Sequence, residues 1–151
     1  KTRIGYEVAS LESALQDFLG FGQSHNAVMV GSGSLGAALI SDSGLQRYGL
    51  NIVAGVDIDP DIVGSKIGGI PIYHIDKLKE LVKKLNIRIG IVAVPVDSAQ
   101  NVADTMVAAG IKGIWNFTPY RIRVRDGVVI ANTSIYSHLA LMYNRLGTLN
   151  L

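Results

Sequence analysis

A short glycine-rich turn constrains the fold of this chain more than any other segment. The turn covers residues 31–36, with the sequence GSGSLG, and joins the apolar run 27–30 to an apolar stretch that is compatible with a helix. In such a strand–turn–helix unit, Gly31 permits a tight turn, Gly33 lets the backbone approach a pyrophosphate, and Gly36 lets the helix pack on the strand. The helix N-terminus directs unpaired N–H groups at the phosphates. The pattern predicts a dinucleotide-binding turn, although glycine turns also arise for steric reasons alone.

An acidic residue after the next apolar run supports this prediction. Residues 51–56 have the pattern of a buried strand and are followed by Asp57, 21 positions after Gly36. A carboxylate about 20 residues after the turn is expected to bind an adenosine ribose. It favours NAD over NADP, because a 2′-phosphate would meet a like charge with no arginine beside it. The alternative for Asp57 is a turn residue at a strand end, whereas Asp59 is expected to cap a short helical turn that ends at Gly64.

The composition indicates one well-packed domain. Of the 151 residues 48% are apolar, so we predict a single dinucleotide-binding domain over residues 1–151. Because the chain begins at Lys1, we expect it to be part of a longer protein. Zero cysteines exclude disulfides, thiolate metal sites and a cysteine nucleophile. With no membrane-length apolar run and no signal peptide, the chain is predicted to be cytoplasmic and to have no membrane partner.

Strand and helix patterns alternate along the chain. The strand patterns cover residues 27–30, 51–57, 70–73, 89–94 and 113–117, and the helical patterns cover residues 10–19, 37–47, 76–85, 97–109 and about 135–146. Such alternation is typical of right-handed βαβ units. We therefore predict an α/β fold with a Rossmann-like, doubly wound and mostly parallel sheet, in a single domain with a C-terminal helix.

Polar residues predict some helix ends. Asp76 is expected to cap the helix that follows it, and Asp97 and Gln100 are expected to form a capping-box pair before the next helix.

Two short runs near the C-terminus, residues 121–124 and 128–132, are expected to form a hairpin or two short paired runs. Arg121, Arg123 and Arg125 alternate along the first of them. They are interpreted as an exposed strand face, with a contact to a partner or to the DNA backbone as the alternative. The net charge of +2 gives no argument for nucleic-acid binding by this segment.

The predicted ligand crevice lies beyond the carboxyl ends of the parallel strands. This rule selects the glycine turn together with residues 57–58, 93–95 and 116–119.

A catalytic acid or base is not evident near that crevice. His25 precedes the first strand, His74 lies between an edge strand and a helix, and His138 lies inside the last helix. Isolated histidines of this kind are more often ordinary surface or core residues than catalysts. The residues therefore predict a nucleotide-binding protein that is not an enzyme.

Four segments together match a known family. They are residues 31–36, 56–60 and 93–95, and above all the run AGIKGIWNFTP at 109–119. The combination resembles the Rex family of redox-sensing transcriptional repressors, and the resemblance covers nearly the whole chain, from residue 5 to about residue 143.

The resemblance implies a domain that senses the NADH/NAD⁺ ratio. Rex proteins have an N-terminal winged-helix domain that binds operator DNA, and a Rossmann-like domain that binds NADH or NAD⁺. This chain corresponds to the second. NADH closes the homodimer and releases the DNA, and the C-terminal helix, here from about residue 135, is exchanged between subunits. The implied cofactor contacts are Gly31, Gly33, Ser34, Leu35 and Gly36 for the pyrophosphate, Asp57 and Ile58 for the adenosine ribose, and Ala93, Val94, Pro95, Asn116, Thr118, Pro119 and Ser134 for the ribose and nicotinamide.

Two positions depart from the family pattern. Where the family commonly has a tyrosine this chain has Asp42, and where the family has an aspartate it has Ser134. Both family positions lie near the nicotinamide and couple the redox state to the DNA-binding domains. We hypothesise that Asp42 together with Ser134 substitutes for the usual pair.

Two further functions stay open at this point. One is the NAD-binding domain of an oxidoreductase whose substrate domain is absent, which requires a catalytic residue at the crevice. The other is a CoA-binding domain like that of succinyl-CoA ligase, which the charge of Asp57 disfavours.

Overall fold

The structure, a computed structural model, describes residues 11, 14, 20, 22–31 and 33–149. The helix predicted over residues 10–19 lies outside the described residues except for Leu11 and Ala14, which are both helical.

Within the described residues, seven strands form one sheet and alternate with helices. The strands are β1 (His25–Val30), β2 (Leu50–Asp57), β3 (Lys66–Ile67), β4 (Ile70–His74), β5 (Ile87–Val92), β6 (Gly113–Asn116) and β7 (Val129–Asn132). The helices are α1 (Ser34–Ile40), α2 (Ser43–Arg47), α3 (Leu78–Lys84), α4 (Val96–Ala108) and α5 (Ile135–Leu149), and a 3₁₀ turn at Ile75–Lys77 precedes α3.

The sheet has the order β3-β4-β2-β1-β5-β6-β7. All neighbouring strands are parallel except β3 and β4, which are antiparallel. From β1 the chain moves outward to β2 and β4, then crosses back to β5 and continues in the other direction. The strand order therefore reverses between β1 and β5. The predicted Rossmann-like, doubly wound sheet with a C-terminal helix is confirmed.

Helices on both faces of the sheet bury its central strands. In β1 the side chains of Val28 and Val30 join the core beneath α3 and α4, whereas Ala27 and Met29 join the core beneath α1 and α2. All four are at most 1% exposed. Burial on both faces explains why this strand is a continuous apolar run, since a parallel sheet between two helical layers has no solvent-facing side.

Two predicted helix caps are wrong. The backbone N–H of Asp76 donates to Nδ1 of His74 at 3.1 Å, so His74 caps the 3₁₀ turn and the Asp76 side chain does not. Helix α4 begins after Pro95 with no side-chain cap. Gln100 bonds instead to Asp104 and to the backbone of Arg123.

The predicted hairpin is also wrong. Residues 121–125 form no strand, and β7 pairs in parallel with β6, with Val129 opposite Gly113. The single helix predicted over residues 37–47 is divided into α1 and α2. Ser41 ends the first, and Asp42 caps the second, because its Oδ1 accepts the N–H of Gly44 at 2.8 Å.

Candidate functional site

A crevice lies at the carboxyl edge of the sheet, where the strand order reverses. Its cavity volume is about 440 Å³, and its walls come from the start of α1, the end of β5 and the segment after β6. The lining residues are Leu35, Ala93, Val94, Pro95, Val96, Phe117, Thr118 and Pro119. The structure thus brings together six predicted contacts from three separate segments, which parallel strands achieve by ending at one edge: Leu35, Ala93, Val94, Pro95, Thr118 and Pro119. Val96 and Phe117 line the crevice beside them.

The glycine turn is closed on two sides by backbone. Gly31 has φ +93°, a conformation that favours glycine, and a Cβ atom there would overlap the carbonyl oxygen of Ala93. A Cβ at Gly36 would overlap the carbonyl oxygen of Gly31. These two glycines bring β1, β5 and α1 into close contact.

Gly33 is different, because a Cβ at this position would meet no atom of the described residues within 4 Å. Gly33 precedes α1 with φ −68° and accepts the N–H of Ala37 at 2.9 Å, so it begins the helix without a side-chain cap. Ser34 and Leu35 are the first residues of α1, and the N–H groups of a first helical turn have no intrahelical partner. Backbone contacts therefore close the turn at Gly31 and Gly36, whereas Gly33 leaves room at the start of α1, which fits the pyrophosphate of a dinucleotide.

Asp57 ends β2 at the same edge. Its Oδ1 accepts the N–H groups of Ile58 at 2.7 Å and Asp59 at 3.0 Å, which fixes the carboxylate in the turn. Ile58 is 71% exposed beside it, an apolar surface of the kind that a nucleoside covers. Asp59 accepts the N–H of Asp61 at 2.9 Å and caps the turn that ends at Gly64, as predicted.

Asn116 is a structural hub and has no exposed surface. Its Nδ2 donates to the carbonyl oxygen of Tyr120 at 2.8 Å and to Oδ1 of Asn132 at 3.0 Å. Its Oδ1 accepts the N–H of Thr118 at 2.9 Å and the Thr118 hydroxyl at 2.7 Å. All four hydrogen-bonding positions of the amide are used within the protein. Asn116 therefore shapes the turn that carries Thr118 and Pro119, rather than facing the crevice.

Ser134 lies at the carboxyl edge, whereas Asp42 lies at the amino edge. The N–H of Thr133 donates to the carbonyl oxygen of Asn116 at 2.8 Å, which places Ser134 just beyond β7. Asp42 lines a different cavity, together with Asn51 at the start of β2. The two residues are thus at opposite ends of the sheet within one chain, and a pair formed by them requires a second chain.

Histidines do not contribute an acid or base to the crevice in the part of the chain that is described. His25 begins β1 at the amino edge. His74 is the Cα partner of Asp57 across β2 and β4, and its Nδ1 is occupied by Asp76. The position of His74 beside Asp57 was missed from the sequence, since only the register of the two strands shows it. The side chain of His138 is outside the described part.

Among the residues that the structure describes, no group of three or more histidine, cysteine, aspartate or glutamate side chains could hold a metal ion. None of the described helices is long and apolar enough to cross a membrane.

Comparison with protein families and curated proteins gives consistent relatives. The family model described as "CoA binding domain" matches residues 22–120. The chain is 54% identical over 149 residues to the redox-sensing transcriptional repressor Rex of Porphyromonas gingivalis, which covers 99% of this chain and 68% of the relative. It is 52% identical over 146 residues to the Rex of Bacteroides fragilis, with 97% and 66% covered.

Solved structures that match this chain come from the same family as these relatives. RSP, a Rex-family repressor, has been solved in complex with β-NAD⁺ and operator DNA, and it matches with a TM-score of 0.90 and 32% identity over 95% of this chain and 66% of that chain. RSP in complex with β-NADH matches with a TM-score of 0.87 and 32% identity over 95% and 69%. The chain spans about two thirds of the length of these relatives. They are named as repressors and not as enzymes, so the prediction of a non-catalytic chain is confirmed. The chain belongs to the Rex family of redox-sensing transcriptional repressors.

Proposed function

We propose that this chain is the NADH/NAD⁺-sensing domain of a transcriptional repressor. The observation that carries the proposal is the glycine turn, where backbone contacts close Gly31 and Gly36 while Gly33 faces open space. That combination leaves room for a pyrophosphate at the start of α1. Relatives solved with β-NAD⁺ and β-NADH support the same ligand.

The dinucleotide extends from the glycine turn in two directions. The adenosine ribose binds at Asp57, whose carboxylate the backbone of the turn already orients, and the base covers Ile58. The nicotinamide ribose lies over Ala93, Val94, Pro95, Thr118 and Pro119, with Ser134 at the edge of the same region. Asn116 contributes by fixing the turn at Thr118. A bound cofactor supplies its redox state as the signal, and these residues bind and orient it.

The protein acts as a homodimer in this proposal. Helix α5 carries apolar side chains that are half exposed or more, including Met142 at 51% and Leu146 at 50%. One sheet face also has an apolar groove of about 320 Å³, whose walls include Ile89, Trp115 and Val129. Monomeric proteins rarely leave such surfaces uncovered, and contact between two copies would bury both.

Operator DNA is bound by a winged-helix domain that precedes this chain in the whole protein. The solved relative binds operator DNA, and its chain is longer than this one. NADH binding releases the dimer from DNA, and the protein works in the cytoplasm. A second candidate ligand is CoA, because the matching family model is described as a CoA binding domain. The negative charge of Asp57 opposes a phosphorylated ribose, so we favour NAD(H).

Calorimetric titration of the purified protein with NADH, NAD⁺ and CoA tests the proposal. We expect tight binding of NADH, weaker binding of NAD⁺ and no binding of CoA. A preference for CoA, or equal affinity for NADH and NAD⁺, would contradict it.

A further inference from the structure

A second groove lies beside the crevice, along α4. Its cavity volume is about 530 Å³, and it is lined by Gln100, Tyr120, Arg121 and Arg123. None of these side chains belongs to the proposed cofactor site. The groove adjoins that site, since Tyr120 follows Pro119 in the chain and Gln100 lies about one turn along α4 from Val96.

The backbone presents two arginines to this groove. Ile122 is 5% exposed and packs in the core beneath α4, while Arg121 and Arg123 on either side of it are exposed. This alternation of exposed, buried and exposed residues places both arginine side chains on the side of the segment away from Ile122. The Gln100 side chain holds the backbone of Arg123 by both its carbonyl oxygen and its N–H, at 2.9 Å each, which anchors the segment beside α4.

The charge of these arginines is not neutralised within the described part of the protein. No carboxylate there forms a salt bridge to Arg121 or Arg123 within 4.0 Å; the Lys–Glu ion pair found there, Lys77–Glu80, lies elsewhere. The carboxylate of Asp104 is bonded to the groove residue Gln100, whose Nε2 it accepts at 2.9 Å. Two like charges beside one groove repel each other, and a bound anion would remove that repulsion.

We propose that this groove binds the phosphate group of a small metabolite. The guanidinium groups of Arg121 and Arg123 donate charge-assisted hydrogen bonds to the phosphate oxygens, the interaction for which arginine is well suited. Tyr120 is 40% exposed at the groove, and its ring covers the organic part of the ligand. Two arginines beside one groove suit the phosphate of a small molecule better than the backbone of a nucleic acid, which requires a long basic surface.

Calorimetric titration of the full-length protein with inorganic phosphate, and separately with pyrophosphate, at constant ionic strength tests this site. We expect saturable binding that Arg121→Gln and Arg123→Gln each weaken about tenfold, since each loses a charge-assisted hydrogen bond. Arg125→Gln and Arg88→Gln remove exposed arginines outside the groove and should leave the affinity unchanged. Urea midpoints equal to the wild type show that the variants are folded.

Three results would overturn the proposal. They are the absence of saturable binding to either anion, equal affinity in wild type and both groove variants, and equal losses in the two control variants. A different result would assign the arginines to the DNA backbone. In that case the wild type would not bind phosphate, and the groove variants would bind operator DNA more weakly and with a smaller dependence of the affinity on salt concentration. NADH binding is measured in parallel. It does not depend on the groove, so failure of this site and failure of the proposed function are distinguishable.

Discussion

The side chain of Gln100 forms a pair of hydrogen bonds with the backbone of Arg123, 23 residues away. Its Nε2 donates to the Arg123 carbonyl oxygen at 2.9 Å, and its Oε1 accepts the Arg123 N–H at 2.9 Å. The amide thereby supplies both bonds that a neighbouring strand would have given to this segment. These two bonds explain how residues 121–125 can lie alongside α4 without belonging to the sheet.

Replacing Gln100 by alanine should therefore destabilise the protein. We expect a loss of about 1–2 kcal/mol in the free energy of unfolding, since two partly exposed backbone groups lose their partner. Urea denaturation measures this change. Asn101→Ala, on the next and exposed position of α4, is the control and should change the free energy by less than about 0.5 kcal/mol. Equal urea midpoints for the two variants would contradict this account of the segment.

Gly33→Ala should separate ligand binding from folding. The backbone of Gly33 has φ −68°, which alanine adopts, and in the described part of the chain no atom lies within 4 Å of the added Cβ. We expect a change of less than about 1 kcal/mol in the free energy of unfolding. The methyl group would occupy the space proposed for the pyrophosphate, so the affinity for NADH should fall at least tenfold. Calorimetric titration and urea denaturation give the two values.

Gly31→Ala is the opposite case in the same turn. Its Cβ would overlap the Ala93 carbonyl, and φ is +93°, so we expect a loss of about 3 kcal/mol or more in stability. Gly127→Ala has a similar φ of +88° but free space around the Cβ, so it should lose only about 1–2 kcal/mol. If the two variants unfolded at the same urea concentration, the contact with Ala93 would not matter.

Asn116→Ala should be among the more damaging substitutions at the crevice. It removes four hydrogen bonds and takes away the acceptor of the N–H and hydroxyl donors of Thr118, which is 5% exposed. We expect a loss of about 3 kcal/mol in the free energy of unfolding. Asn132→Ala removes a single one of these bonds from an exposed residue and should cost about 1 kcal/mol or less. Similar losses of free energy in both variants would contradict the central role of Asn116 in this hydrogen-bond network.

The sequence was sufficient for features that depend on local pattern. Alternating strands and helices predicted the sheet, and the glycine turn and Asp57 were placed at the correct edge. Features that depend on distant contacts were missed. The local turn before Val129 resembles that of a hairpin, yet β7 pairs in parallel with β6, where Val129 lies opposite Gly113. Gln100 has the spacing of a capping residue, and only the folded chain brings it to Arg123.

Asp57→Asn should alter the choice between NADH and NADPH. Asparagine keeps an oxygen for the N–H groups of Ile58 and Asp59, so the turn is retained while the charge is removed. We expect the affinity for NADH to fall about tenfold and the ratio of NADPH to NADH affinity to rise, because the repulsion of a 2′-phosphate is lost. Fluorescence titration with both nucleotides measures the ratio. Asp59→Asn should leave it unchanged, and a shift of the same size there would contradict the role of Asp57.

Helix α5 offers the test of the proposed homodimer. Met142 and Leu146 lie one turn apart on the same face of α5 and are 51% and 50% exposed. Two glutamates at these positions would place charge in an apolar interface, so Met142→Glu with Leu146→Glu should convert a dimer to a monomer. Light scattering coupled to size-exclusion chromatography measures the mass. Asn144→Glu adds charge to another exposed position of the helix and should keep the dimer. If the double variant kept the dimeric mass, α5 would not form the interface.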